Sequence, residues 1–91
     1  MNVRAHVIFS GMVQGVFFRA NTKNCADKYG LTGWVRNTSD GKVEALFEGE
    51  KASVEGAIEW CATRQPYARV ESKQVEYSEF TGEFDGFFIA V

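Results

Sequence analysis

The sequence predicts an α+β sandwich: an antiparallel sheet of four to five strands with two helices on one face. Three observations carry this. Two stretches place apolar residues at helical spacing, and the stretches around them alternate or are short and apolar, as strands are. The order is strand, helix, strand, hairpin, strand, helix, strand, with a short C-terminal strand added. That is the split β-α-β, ferredoxin-like arrangement. A length of 91 residues is one domain's worth, so a single domain over 1–91 is expected.

Each element has its own signal. Val3 to Ser10 alternates, with Ala5, Val7 and Phe9 on one side and Arg4, His6, Ile8 and Ser10 on the other. Gly11 to Val16 holds two glycines and reads as a loop. Phe18, Thr22, Cys25, Ala26 and Tyr29 then recur at helical spacing, and Gly30 is a helix stop. Leu31 to Asn37 reads as a second strand. Asp40-Gly41 signals a hairpin, since glycine accepts the positive φ such turns need. Lys42 to Glu48 alternates with Val43, Ala45 and Phe47 together, and Gly49 is expected to break it. Val54, Ala57, Ile58 and Cys61 form the stripe of a second helix, with Pro66 beyond its end. Val70 to Tyr77 is a fourth strand, and Phe87 to Val91 is a short apolar strand for the sheet edge.

Composition narrows the function. A hydrophobic fraction of 45% with 14% aromatics excludes a disordered chain. A net charge of −2 argues against nucleic-acid or membrane-surface partners, which need a basic face. It leaves room for a small anion, because one local positive site suffices. No apolar run approaches the ~18 residues of a membrane span, and Met1 to Val7 lacks a signal-peptide core. A cytoplasmic monomer is expected. Cys25 and Cys61 lack paired metal-ligand spacing and read as reduced core residues; two cysteines allow only one internal pair. His6 reads as a packed or surface strand residue. Glu44, Glu48, Glu50, Glu55 and Glu59 read as a mostly solvated face.

The loop Gly11-Met12-Val13-Gln14-Gly15-Val16-Phe17-Phe18-Arg19 carries the chemistry. It leaves a strand and enters a helix. Its glycines let successive N–H groups turn inward, and the helix behind adds free donors and the positive end of its dipole. Arg19, in the first helical turn, can reach back with a fork that binds phosphate oxygens in pairs. Two glycines and a first-turn arginine can equally be an ordinary turn and a solvated cation. The loop is neither a nucleoside-triphosphate loop nor a dinucleotide fingerprint.

The same nine residues resemble the acylphosphatase signature G-x-V-Q-G-V-x-[FY]-R. Gly33-Trp34-Val35-Arg36-Asn37-Thr38-Ser39-Asp40-Gly41-Lys42-Val43-Glu44 resembles that family's second signature, G-x-V-x-N-x-x-D-G-x-V-E. The resemblance covers nearly the whole chain. It implies hydrolysis of the carboxyl–phosphate anhydride of an acyl phosphate, to a carboxylate and inorganic phosphate, without metal or cofactor. It implies that Arg19 and the backbone of Gln14, Gly15, Val16, Phe17, Phe18 and Arg19 hold the phosphate. It implies that Asn37 holds the attacking water. Two places depart from the family. Arg64-Gln65-Pro66-Tyr67-Ala68 stands where G-P-P-x-A is frequent, and Phe88-Ile89-Ala90-Val91 stands where the tail often ends near I-R-Y. The divergent tail leaves open whether the Val91 carboxylate anchors Arg19.

These residues suit an activated phosphate. The loop and Asn37 supply no acid or base. A carboxylate leaving group has a conjugate acid of pKa about 4, so it departs without a proton. If the transition state is loose, positioning and charge stabilisation are what remain. The alternative is a non-enzymatic anion-binding module that keeps the nest. Asn37 tells them apart, because a binder has no need to orient water. An RNA-binding domain is disfavoured by the acidic charge and the missing aromatic pattern.

Overall fold

The computed structural model describes all of residues 1–91. Its elements are β1 (Asn2–Met12), α1 (Phe18–Lys28), β2 (Thr32–Asn37), β3 (Val43–Glu50), α2 (Lys51–Thr63), β4 (Arg69–Glu79) and β5 (Phe87–Ile89). They form one five-stranded sheet in the order β4-β1-β3-β2-β5 with two helices packed on one face. The expected ferredoxin-like order is present. No helix is long and apolar enough to cross a membrane.

The alternating residues of the strands build the core. Ala5, Val7 and Phe9 of β1, Val35 of β2 and Val43, Ala45 and Phe47 of β3 are fully buried. The helices close over them with Phe18, Thr22, Cys25 and Ala26 from α1 and Val54, Ala57, Ile58 and Cys61 from α2. Phe9 and Phe18 meet with ring centroids 5.2 Å apart, which pins the first turn of α1 to β1. Helix α1 ends as Gly30 signals: Gly30 N–H donates to the Asp27 carbonyl and Leu31 N–H to that of Ala26, with Gly30 at φ 71°.

Four expectations need correction. The sheet is mixed, because β5 pairs in parallel with β2, Gly33 opposite Phe87. The crossing from β4 to β5 traverses the sheet, so β5 runs in the direction of β2. Strand β1 continues through Gly11 and Met12, which pair with Val70 and Arg69 of β4 after a register shift at Ser10/Gly11. The phosphate loop is therefore shorter than Gly11 to Val16. Gly49 does not break β3. It pairs with Val3 of β1, and a Cβ there would lie 2.6 Å from a Leu31 methyl.

The last correction concerns Glu48, which is 1% exposed rather than solvated. Its carboxylate accepts from Thr81 N–H at 3.0 Å, Gly82 N–H at 3.1 Å, the Thr81 hydroxyl at 2.9 Å and Arg4 Nη1 at 3.1 Å. Arg4 also donates to Glu83 at 2.6 Å. The segment that crosses to β5 is thus strapped to β1 and β3 through one buried carboxylate. Burial alone would raise the Glu48 pKa, but the Thr81 and Gly82 hydrogen bonds and Arg4 outweigh it and hold it below the ordinary range. A depressed folded pKa contributes stability present above the ordinary pKa of about 4.3 and lost as pH falls through the folded value. Glu48→Gln should therefore cost about 3 kcal/mol in urea unfolding at pH 7, because it leaves buried donors and Arg4 undercompensated. The difference from the parent should shrink below about pH 4. A variant as stable as its parent at pH 7 would refute this strap.

Candidate active site

The site forms where β1 hands the chain to α1. Gly15 has φ 75° and Phe17 has φ 60°. Left-handed conformation is ordinary for glycine and strained for a bulky aromatic residue, and such strain concentrates at functional sites. Phe17 is the N-cap of α1, where no side chain caps the helix and no acidic residue occupies the first turn. The first intrahelical bond runs from Asn21 N–H to the Phe17 carbonyl at 3.0 Å. The amides of Phe18, Arg19 and Ala20 lie ahead of it, so the helix start offers donors and the positive end of the dipole.

An open cleft of about 330 Å³ lies over these amides, lined by Val13, Gly15, Phe17, Phe18, Arg19, Ala20, Asn37 and Ile89. Arg19 and Asn37, 18 positions apart in the sequence, share this one cleft. Arg19 takes part in none of the chain's ion pairs. Its guanidinium is left without a protein carboxylate, and the Val91 carboxylate does not anchor it. Asn37 ends β2 opposite Val43, and its carboxamide makes no side-chain hydrogen bond within the chain. The cleft therefore presents a cation, backbone donors and a neutral amide to one small volume.

Gln14 and Val16 do not line the cleft. Val16 packs against the core. The Gln14 side chain turns to the β2–β3 hairpin, where Nε2 donates to the Thr38 and Lys42 carbonyls, both at 2.8 Å. That hairpin loop is also tied by Thr38 N–H to the Lys42 carbonyl at 2.9 Å and by Lys42 N–H to Thr38 Oγ1 at 3.0 Å. The Thr38 hydroxyl also donates to Asp40, and this bond holds the Asp40 carboxyl below its ordinary pKa. Gln14 thus sets the distance between the loop that carries Arg19 and the strand end that carries Asn37. Gln14→Ala should lower kcat by about 10- to 100-fold through misplacement alone. Gln14→Glu should rescue nothing, because a carboxylate offers no donor to two carbonyls. Wild-type kcat in both would remove this role.

Sequence reasoning missed Ile89 and Ala20 in the cleft wall and the Gln14 side-chain link. Ile89 enters only because β5 pairs in parallel beside β2, with Ala90 N–H donating to the Val35 carbonyl at 2.8 Å. A local pattern holds no signal for that pairing. Gly33 serves the same corner: a Cβ there would lie 1.8 Å from the Leu46 carbonyl oxygen. His6 and Arg36 meet at Glu44, each at 2.6 Å, with the Arg36 guanidinium 5.4 Å from the Trp34 ring centre. None of these four lines the cleft.

The acylphosphatase family model matches residues 5–89. The acylphosphatase of Pelotomaculum thermopropionicum is 52% identical over 87 residues, covering 96% of this chain and 95% of that one. The crystal structure of acylphosphatase from Bacillus subtilis superposes with a TM-score of 0.93 at 34% identity, covering 98% of this chain and 99% of that one. The structure of an acylphosphatase from Coxiella burnetii superposes with a TM-score of 0.91 at 36% identity, covering 98% and 93%.

Proposed function

The chain belongs to the acylphosphatase family and hydrolyses acyl phosphates, and on that premise we propose that Arg19 and the backbone of Gly15, Phe17, Phe18 and Arg19 hold the phosphate while Asn37 positions the attacking water. The observation that carries this reading is the shared cleft: an unpaired guanidinium, the uncapped start of α1 and the free Asn37 amide line the same 330 Å³.

The steps follow from those groups. The phosphate enters as an anion and is met by the Arg19 fork and the first-turn amides, which stay in place as charge shifts over its oxygens. Asn37 accepts a hydrogen bond from water at its carbonyl and aims the water's lone pair at phosphorus. The water–phosphorus bond forms as the anhydride P–O bond breaks. The bonding electrons leave with the carboxylate, which needs no proton at neutral pH. The water's proton passes to a phosphate oxygen or to solvent, so no protein base is required.

The test is release of inorganic phosphate from benzoyl or acetyl phosphate without added metal. Tight phosphate binding with no turnover would replace this reading with that of a binding module. The rate should also be nearly flat from about pH 5 to 8, since the proposed steps use no protein acid or base. A sharp bell centred in that window would require a general acid or base and would overturn the mechanism.

A further inference from the structure

The link between α2 and β4, residues 64–68, is fixed at both ends. Arg64 N–H donates to the Trp60 carbonyl at 2.8 Å, and Arg69 pairs with Met12 at the end of β1. Gln65 lies in this link and is only 7% exposed. Its Nε2 donates to the Phe18 carbonyl at 3.2 Å and to Thr22 Oγ1 at 2.8 Å. A carbonyl can only accept, so it is the nitrogen end of the amide that meets α1. Thr22 is fully buried, and Cys61 Sγ of α2 donates to the same hydroxyl oxygen at 3.6 Å. Gln65 thus grips the start of α1 from its buried side. Gln65 Oε1, by contrast, is buried without a hydrogen-bond partner. An unpaired acceptor in the interior costs stability, so packing alone favours an apolar side chain here. What the amide supplies, and an apolar side chain does not, is its two donors.

We propose that Gln65 is a positioning residue for the phosphate: through the Phe18 carbonyl it fixes the Arg19 N–H that faces the cleft. The inference rests on the phosphate-binding reading above. The Phe18 carbonyl and the Arg19 N–H belong to one rigid, planar peptide group. In a helix the carbonyl of such a group points toward the C-terminal end and the N–H toward the N-terminal end, which here opens on the cleft. Gripping the carbonyl therefore sets the direction of the N–H. It also draws charge toward the carbonyl oxygen, which makes the N–H a stronger donor. The helix start needs such a hold. Phe17 stands at φ 60°, and no side chain caps the first turn. The chain from Gln65 to Arg69 holds α1 at Phe18 and β1 at Met12, so one short segment fixes both ends of the loop between them.

Gln65→Met removes both donors at nearly the same volume. KM for benzoyl phosphate and the inhibition constant for inorganic phosphate should rise together by about fivefold or more, while kcat changes by less than about threefold. The rise is shared because the Arg19 N–H meets the phosphate in the bound and transition states alike. A merely structural role would lower the folded fraction, and with it kcat, and leave both constants at the parent's values. Unchanged constants would overturn the inference, whatever the melting temperature. The parent gives a second reading by NMR during titration with inorganic phosphate, which decides even if the variant fails to fold. The Arg19 amide and the Gln65 side-chain amide signals should shift together along one binding curve. An Arg19 shift with an unmoved Gln65 signal would overturn the inference alone. A parent that turns over no acyl phosphate and shows no Arg19 shift would overturn the phosphate-binding reading beneath it.

Discussion

Arg19→Gln is expected to lower kcat/KM for an acyl phosphate by about 1,000-fold or more and to weaken competitive inhibition by inorganic phosphate in the same direction. The reason is electrostatic. The cleft offers one full positive charge, and that charge has no partner in the protein, so its whole field is available to the bound anion. Glutamine keeps hydrogen-bonding capacity but loses the charge and the paired donors. Arg19→Lys should recover only part of the loss, because an ammonium is a point charge and cannot grip two oxygens in a plane. Folding stability should stay within about 0.5 kcal/mol of the parent, since no ion pair is broken. The checks are steady-state kinetics, phosphate inhibition and urea unfolding on one preparation. Undiminished phosphate inhibition in Arg19→Gln would remove Arg19 from the binding role.

Asn37→Ala should separate catalysis from binding. A fall in kcat of about 100- to 1,000-fold is expected, with phosphate inhibition changed by no more than about threefold. Asn37 is neutral, so deleting its amide leaves the Arg19 field and the first-turn donors intact. What goes is the group that orients water. Asn37→Asp sharpens the test. It keeps an acceptor for water but puts a negative charge beside a dianion, so phosphate inhibition should weaken as well. If Asn37→Ala lowered binding and turnover equally, Asn37 would be a phosphate ligand and the water would need another guide. A small effect on both would place the chemistry elsewhere.

Much of the fold was legible because its causes are local. The alternation of Ala5, Val7 and Phe9, and of Val43, Ala45 and Phe47, named the buried face of two strands, and all six are fully buried. Helical spacing named the buried side of α1, except that Tyr29 stays 42% exposed at the helix end. The turn at Gly30 and the loop entering α1 were also readable, because glycine conformational freedom is a property of one residue. The misreadings share a cause. Gly49, Gly11 and Met12 sit in strands because partner strands claim their backbone groups, and glycine's weak preference for strands does not decide against a paired ladder. Glu48 looked like a surface charge because a glutamate run normally faces water. It is buried because Arg4 and Thr81, 44 positions before it and 33 after it, converge on it.

The sequence by itself determined the parts: the glycine-bearing loop into α1, Arg19 in its first turn, Asn37 before the Asp40-Gly41 turn, and the order of elements. These follow from residue chemistry and short-range periodicity. Only the tertiary structure decided how the parts meet. It brought Arg19 and Asn37 to one cleft, turned the Gln14 side chain to the hairpin carbonyls, and laid β5 parallel to β2 so that Ile89 closes the wall. Those meetings depend on sheet register and helix packing. They are summed over contacts far apart in the chain, and no single window of sequence contains them.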